Sequence, residues 1–210
     1  INARLAALRI RKAQYSRGKS GLSVVARQMA EKHHVFKVNP HLGAVAKAGG
    51  VLASLAAFAR AYAFCLAHGT SRDDLFGFSE LIAGVLDELK LHKSYTEKLN
   101  VSLDGVTPLP ATTAYVDFLL GTARLGKLGE TIAGMTPCMR LYAFLGQSLA
   151  KKPVAPAYED WVKTYSDPGF EALAVRLEGL LDQHATNSPA VCANYRRAME
   201  LEYNFFDANV

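Results

Sequence analysis

Charge is scarce in this 210-residue sequence, and what there is carries no strong sign. Asp and Glu number 19 against 24 Lys and Arg, a net charge of +5. The basic residues are dispersed, as at Arg9, Arg11 and Lys12, Lys151 and Lys152, and Arg196 and Arg197. Nucleic-acid binders concentrate such residues in a patch or stripe, so no nucleic-acid partner is expected. Cysteine is rarer still. Cys65, Cys138 and Cys192 form an odd, widely spaced set, which excludes a disulfide framework. No signal-peptide pattern is visible in a sequence that opens at Ile1, so the expected compartment is the reducing cytoplasm. Long apolar runs are missing too. The longest uncharged stretch near the middle is Ala48 to Ala59, between Lys47 and Arg60. A bilayer-spanning helix needs about 20 apolar residues, so no membrane span and no membrane partner are expected. No Asn-Gly or Asp-Gly turn is flanked by alternating residues, which argues against hairpins. No unit of about 20–50 residues repeats, which excludes a solenoid.

What is present is apolar and helical. Half of the residues are hydrophobic, enough for one core that hides about 70% of the unfolded surface. Ala, Leu, Arg, Lys and Glu are abundant, and apolar residues recur at steps of three and four, the helical period. The spacing predicts helices over Ala3–Gln14, Leu22–His33, His41–Ala67 (with a bend at Gly49-Gly50) and Arg72–His92 with a short extension to Leu99. Ser71-Arg72-Asp73-Asp74 reads as a capping start for the last of these. Further helices are expected from Pro110 to Gly126, Glu130 to Lys151, Tyr158 to Ser166, Gly169 to His184 and Pro189 to Asn209. The expectation is an all-α, single-domain, multi-helix bundle over residues 1–210.

Several residues stand out as chemistry. Cys138 follows Thr136-Pro137. Either a new helix starts there, with Thr136 as cap and Cys138 in a first turn that favours a thiolate, or the helix kinks at the proline. The plain alternative is a small buried hydrophobe. Glu202 lies one turn before Phe205 and Phe206. A carboxylate among aromatics is costly unless paired or protonated, which is how acid/base residues are made. The plain alternative pairs it with Arg196 or Arg197 at the surface. Tyr115, Tyr142 and Tyr165 stand among apolar residues, with Trp161 one turn before Tyr165. They are structural, or they converge on a pocket for a planar heterocycle. His33, His34 and His41 are candidate haem or metal ligands. Glu88 and His92 are one turn apart, and two ligands do not make a metal site. Cys65 and Cys192 read as core. Gly18-Lys19-Ser20 lacks the first glycine and the strand of a phosphate loop.

Four segments together resemble the TenA/THI-4 (thiaminase II) proteins of the haem-oxygenase-like superfamily. They are Thr113 to Leu119, Pro137-Cys138-Met139-Arg140-Leu141-Tyr142, Tyr158 to Ser166 with Trp161 and Tyr165, and Leu201-Glu202-Tyr203-Asn204-Phe205-Phe206, where Phe206 replaces a tryptophan. A weaker likeness covers Phe58 to Tyr62 and Glu88 to Leu99, so the resemblance spans most of residues 55–210. It implies a haem-oxygenase-like helical bundle, commonly a homotetramer, acting on an aminopyrimidine or thiamin-like ligand without metal or organic cofactor. In that family Cys138 would be the nucleophile and Glu202 the acid/base. Tyr115, Tyr142, Tyr165 and Phe206 would hold the ring. One departure matters. Alignment on Phe58-Ala59-Arg60 puts Val51 where family members carry an aspartate that reads the ring, and Ser54 where they carry a tyrosine.

Three readings follow. The first is a hydrolase of aminopyrimidines in thiamin salvage or degradation. The second, motivated by Val51 and Ser54, is a non-catalytic or divergent relative that binds another planar molecule. The third is a haem-handling protein using His33, His34 or His41.

Overall fold

Proline opens four of the helices, and the structure shows why. Its missing N–H costs nothing in a first turn, where that group would have no partner anyway. In the computed structural model, residues 40–98, 100, 102, 106–154, 156, 159–186 and 188–208 are described, with backbone only for 40–48. The described residues form seven helices and no strand: α1 Pro40–His68, α2 Arg72–Lys98, α3 Pro110–Arg124, α4 Leu128–Leu149, α5 Glu159–Tyr165, α6 Pro168–His184 and α7 Pro189–Ala208. Each matches an expected helix to within about two residues at most ends. The expected helices Ala3–Gln14 and Leu22–His33, with His33 and His34, lie outside the described residues, as does the side chain of His41.

The helix from Arg72 runs unbroken to Lys98, so the expected extension beyond His92 is part of the same helix. Pro137 lies inside α4, and no new helix starts there. The helix continues with the Thr136 hydroxyl donating to the Ile132 carbonyl at 2.7 Å. The Ser71 start behaves as read. The Asp74 N–H donates to Ser71 Oγ at 3.0 Å, and the Ser71 N–H donates back to Asp74 Oδ2 at 3.0 Å. Asp74 also meets His184 Nε2 at 2.6 Å, which ties α2 to the end of α6. Burial would raise this carboxyl, but the hydrogen bonds of His184 and Ser71 outweigh it and hold it at about 2.

Helix α4 is the centre, touching α1, α3, α5, α6 and α7. Its buried face runs through Ile132, Ala133, Met135, Met139, Leu141, Ala143 and Leu145. On its other side Arg140 grips α6, with a bidentate pair to Glu178 at 2.9 and 2.8 Å and a contact to Glu171 at 2.8 Å. Such forked pairs fix geometry as well as adding energy. Helix α1 packs chiefly on α2 and α3. The expectation of no membrane-length run needs amending. Gly49–His68 is long and apolar enough to cross a bilayer by length and composition, because such a window tolerates one Arg60. In the fold its Leu55, Ala57, Phe58, Ala61, Tyr62 and Cys65 are buried in the core, while most of the other residues of the window are half-buried or exposed.

Gly146 carries α4 past the end of α5. A methyl there would overlap the carbonyl of Tyr165. Gly146→Ala gains about 1 kcal/mol of helix propensity but forces backbone apart, which costs about 1–3 kcal/mol. The expected net effect in urea denaturation is a loss of stability; a gain would show that α5 moves aside freely.

Candidate active site

The groups that could do chemistry gather where α2, α4, α5 and α7 meet, roofed by α1 and α3. Cys138 projects from the middle of α4 and is half-buried. The expectation of a thiolate in a helix first turn is therefore corrected. Mid-helix peptides offer no free N–H groups, so no helix-end charge acts on the sulfur. Burial pushes the thiol well above its ordinary value, and the adjacent Glu202 pushes it further. Cys138 rests as a thiol.

Glu202 is not at the surface. Arg197 pairs with Glu200 instead, at 3.1 Å, and Glu202 is only 1% exposed. The Tyr115 hydroxyl donates to Glu202 Oε1 at 2.5 Å, and Cys138 lies near enough to the carboxyl for each to shift the other's proton equilibrium. Burial raises the carboxyl to about 7, against the lowering effect of Tyr115 and Cys138. A base with that value beside a thiol is equipped to take its proton, which is how a neutral nucleophile is activated.

The aromatic residues converge. The ring of Tyr142 lies 4.8 Å from Tyr165, 5.6 Å from Phe206 and 6.0 Å from Trp161. Phe58 meets the edge of Tyr115 at 5.8 Å. Tyr142 sits one turn after Cys138 on α4, so the rings wall the thiol on one side. Tilted and edge-on rings at these separations are favourable and stiff, a preformed surface for a flat ligand.

Glu88 and His92, weighed in the sequence only as an incomplete metal pair, also face the site. The Tyr165 hydroxyl donates to Glu88 Oε1, and His92 Nε2 is 3.2 Å from the Tyr165 oxygen. Burial raises the Glu88 carboxyl to about 7, against the Tyr165 hydrogen bond, and lowers His92 to about 4. The signal was available. The buried stripe of α2 runs Phe78, Leu81, Val85, and its next steps fall on Glu88 and His92.

Val51 is half-buried and packs on the core, so no carboxylate stands at that position of α1. Three buried hydroxyl oxygens, Ser54 Oγ, Tyr62 OH and Thr112 Oγ1, have no hydrogen-bond partner among the described residues. Tyr62 lies near Cys138 and Glu88 and 6.3 Å from Phe58. Also among the described residues, no three His, Cys, Asp or Glu side chains are grouped to hold a metal ion.

The fold and site together define the class: an all-α bundle of the haem-oxygenase-like kind. The sequence matches the profile of the TENA/THI-4/PQQC family over residues 53–210, and the chain belongs to that family. It is 33% identical over 135 residues to the aminopyrimidine aminohydrolase of Halalkalibacterium halodurans, a match covering 61% of this chain and 60% of the relative. It is 32% identical over 183 residues to the mitochondrial bifunctional TH2 protein of Arabidopsis thaliana, covering 73% of this chain and 30% of the relative. The chain thus spans less than two thirds of these relatives. A TenA homologue from Pyrococcus furiosus superposes with a TM-score of 0.80 at 17% identity, covering 98% of this chain and 100% of that one.

An unpaired buried hydroxyl costs about 1–3 kcal/mol. Tyr62→Phe is therefore expected to leave the ligand-free protein as stable or more stable in urea denaturation. A loss of more than about 1 kcal/mol would mean that the hydroxyl has a partner.

Proposed function

We propose that this chain is a TenA-type hydrolase that replaces the amino group of an aminopyrimidine by hydroxyl, with Cys138 as nucleophile and Glu202 as acid/base. The observation that carries this reading is the buried, hydrogen-bonded Tyr115–Glu202 pair with Cys138 beside it, against a wall of aromatic rings. The name of the Halalkalibacterium relative, an aminopyrimidine aminohydrolase, supports the substrate class.

The chemistry follows from the groups present. Cys138 Sγ bonds to the electron-poor ring carbon that bears the amino group, and the thiol proton passes to Glu202. The carbon–nitrogen bond breaks as nitrogen gains one proton and leaves as ammonia. Water then adds at the same carbon, the sulfur–carbon bond breaks, and Glu202 returns its proton to the sulfur. Tyr115 keeps Glu202 aimed at the sulfur, while Tyr142, Tyr165 and Phe206 hold the ring. Because Glu202 must be ionised to accept the thiol proton, activity rises with pH through about 7.

A second reading, binding of a planar molecule without turnover, draws on Val51 and Ser54. They leave that wall uncharged, and a site lacking a ring-reading carboxylate discriminates less well.

Ammonia release from a panel of aminopyrimidines, and pyrimidine release from thiamin, separates the two. Cys138→Ala is expected to lower kcat by at least about a hundredfold, and Glu202→Gln by a factor of about 10²–10⁴ with loss of the rise near pH 7. Turnover that survives in Cys138→Ala overturns the nucleophile assignment. Pyrimidine binding without turnover by the wild-type protein establishes the second reading.

A further inference from the structure

The hydrolase reading leaves one proton unassigned. Glu202 takes the thiol proton and gives it back to sulfur, so the proton that leaves with nitrogen must come from elsewhere. The site has a second carboxyl on its far wall. Glu88 projects from α2 with its side chain 15% exposed, and the Tyr165 hydroxyl from α5 donates to it. That phenol belongs to the ring wall beside Cys138, 4.8 Å from Tyr142 between centroids.

We propose that Glu88 is a second proton-handling residue of this site, passing its proton through the Tyr165 hydroxyl to the departing nitrogen, with His92 holding that hydroxyl in line. The proposal rests on the hydrolase reading.

The geometry allows one hop. When Glu88 is ionised, the Tyr165 proton points at it, and the neutral His92 donates Nε2–H to the phenol oxygen across 3.2 Å. When Glu88 carries a proton it becomes the donor to the phenol oxygen. The Tyr165 proton is then released toward the ring wall. The phenol accepts one proton as it gives another and never ionises, consistent with burial raising Tyr165 well above its ordinary value. Glu88 acts through Tyr165 and is thus a positioning and proton-supplying residue.

The two half-reactions balance. In the first, Cys138 thiol, aminopyrimidine, ionised Glu202 and protonated Glu88 give the thioether adduct, ammonia, protonated Glu202 and ionised Glu88. In the second, water gives hydroxyl to the ring carbon and a proton, through Tyr165, to Glu88. Glu202 returns its proton to sulfur. Both carboxyls end as they began, and water and the aminopyrimidine are the sole reactants. Such division of labour needs one carboxyl ionised while the other is protonated, and with burial pushing both Glu88 and Glu202 to about 7, each reaches either state near neutrality. The groups near Glu88 are His92 on its own helix, Tyr62 from α1, Cys138 and Tyr142 from α4, and Tyr165 from α5. None is a cation at pH 7, so the ionised form of Glu88 is favoured by the Tyr165 hydrogen bond and opposed by burial.

The test compares pH profiles of kcat/KM for ammonia release in the wild type, Glu88→Gln, Tyr165→Phe and their double variant, each checked for helicity. The wild-type profile is expected to be a bell, with Glu202 setting the rise and Glu88 the fall. Glu88→Gln and Tyr165→Phe each lower kcat about 10–100-fold, and Glu88→Gln removes the falling limb but keeps the rising one. The double variant is no slower than the slower single, because both cut one path. A Glu88→Gln profile of unchanged shape, or losses that multiply in the double variant, overturns the inference while leaving Cys138-dependent turnover and the hydrolase reading intact. If the wild-type protein turns over no compound, the hydrolase reading fails and the inference is decided by binding. Calorimetry of 4-amino-2-methylpyrimidine in buffers of different ionisation enthalpy should then show proton exchange at pH 7 that Glu88→Gln and Tyr165→Phe abolish. Exchange unchanged in both variants, or absent from the wild type, overturns it.

Discussion

The structure turns on the cost of placing two carboxyl groups inside an apolar helical core. An isolated carboxylate there is too expensive to stay charged and unpaired. Each here is given a phenol: Tyr115 for Glu202 and Tyr165 for Glu88. The phenols lower the carboxyls and burial raises them, and burial wins. That balance brings both to about 7, where a group can both take and give a proton. The same burial keeps the Cys138 thiol protonated. In the proposed reaction Cys138 therefore depends on Glu202 to take its proton.

Holding such groups in register requires a rigid frame. The frame is α4, whose Cys138 and Tyr142 face the site while Arg140 is forked onto Glu178 and Glu171 of α6. Gly146 lets the end of α5 lie directly on α4, which brings the Tyr165 ring to within 4.8 Å of Tyr142. On α2, Asp74 anchors the helix start to Ser71 and His184, and the unbroken run to Lys98 carries Glu88 and His92 into the site.

The α1 wall is where this chain differs most from the pattern it resembles. Val51 supplies apolar packing, and the polar groups available there are the buried hydroxyls of Ser54 and Tyr62, with Thr112 from α3. Hydroxyls both donate and accept, whereas an ionised carboxylate only accepts.

Most of the fold was legible in the sequence. Helical periodicity with proline at Pro110, Pro168 and Pro189 set the elements to within a few residues, because a local steric rule operates there and nothing distant overrides it. Cys138, Glu202 and the three tyrosines were legible as unusual residues on apolar faces. Their convergence was not, because helical periodicity says which face is buried and not which helix covers it. At Pro137 the local rule left a new helix start or a kink open, and packing of α4 against α1, α3, α5, α6 and α7 keeps one helix running through it. Glu88 was legible only as half of a pair with His92, because spacing along one helix does not show that Tyr165, far away in sequence, meets it. The sequence by itself determined the helices, their apolar faces and the residue types available for proton transfer, since these depend on neighbours three or four positions apart. Only the tertiary structure decided which carboxyls are buried, which phenols meet them and where their proton equilibria lie, since these depend on contacts between distant helices.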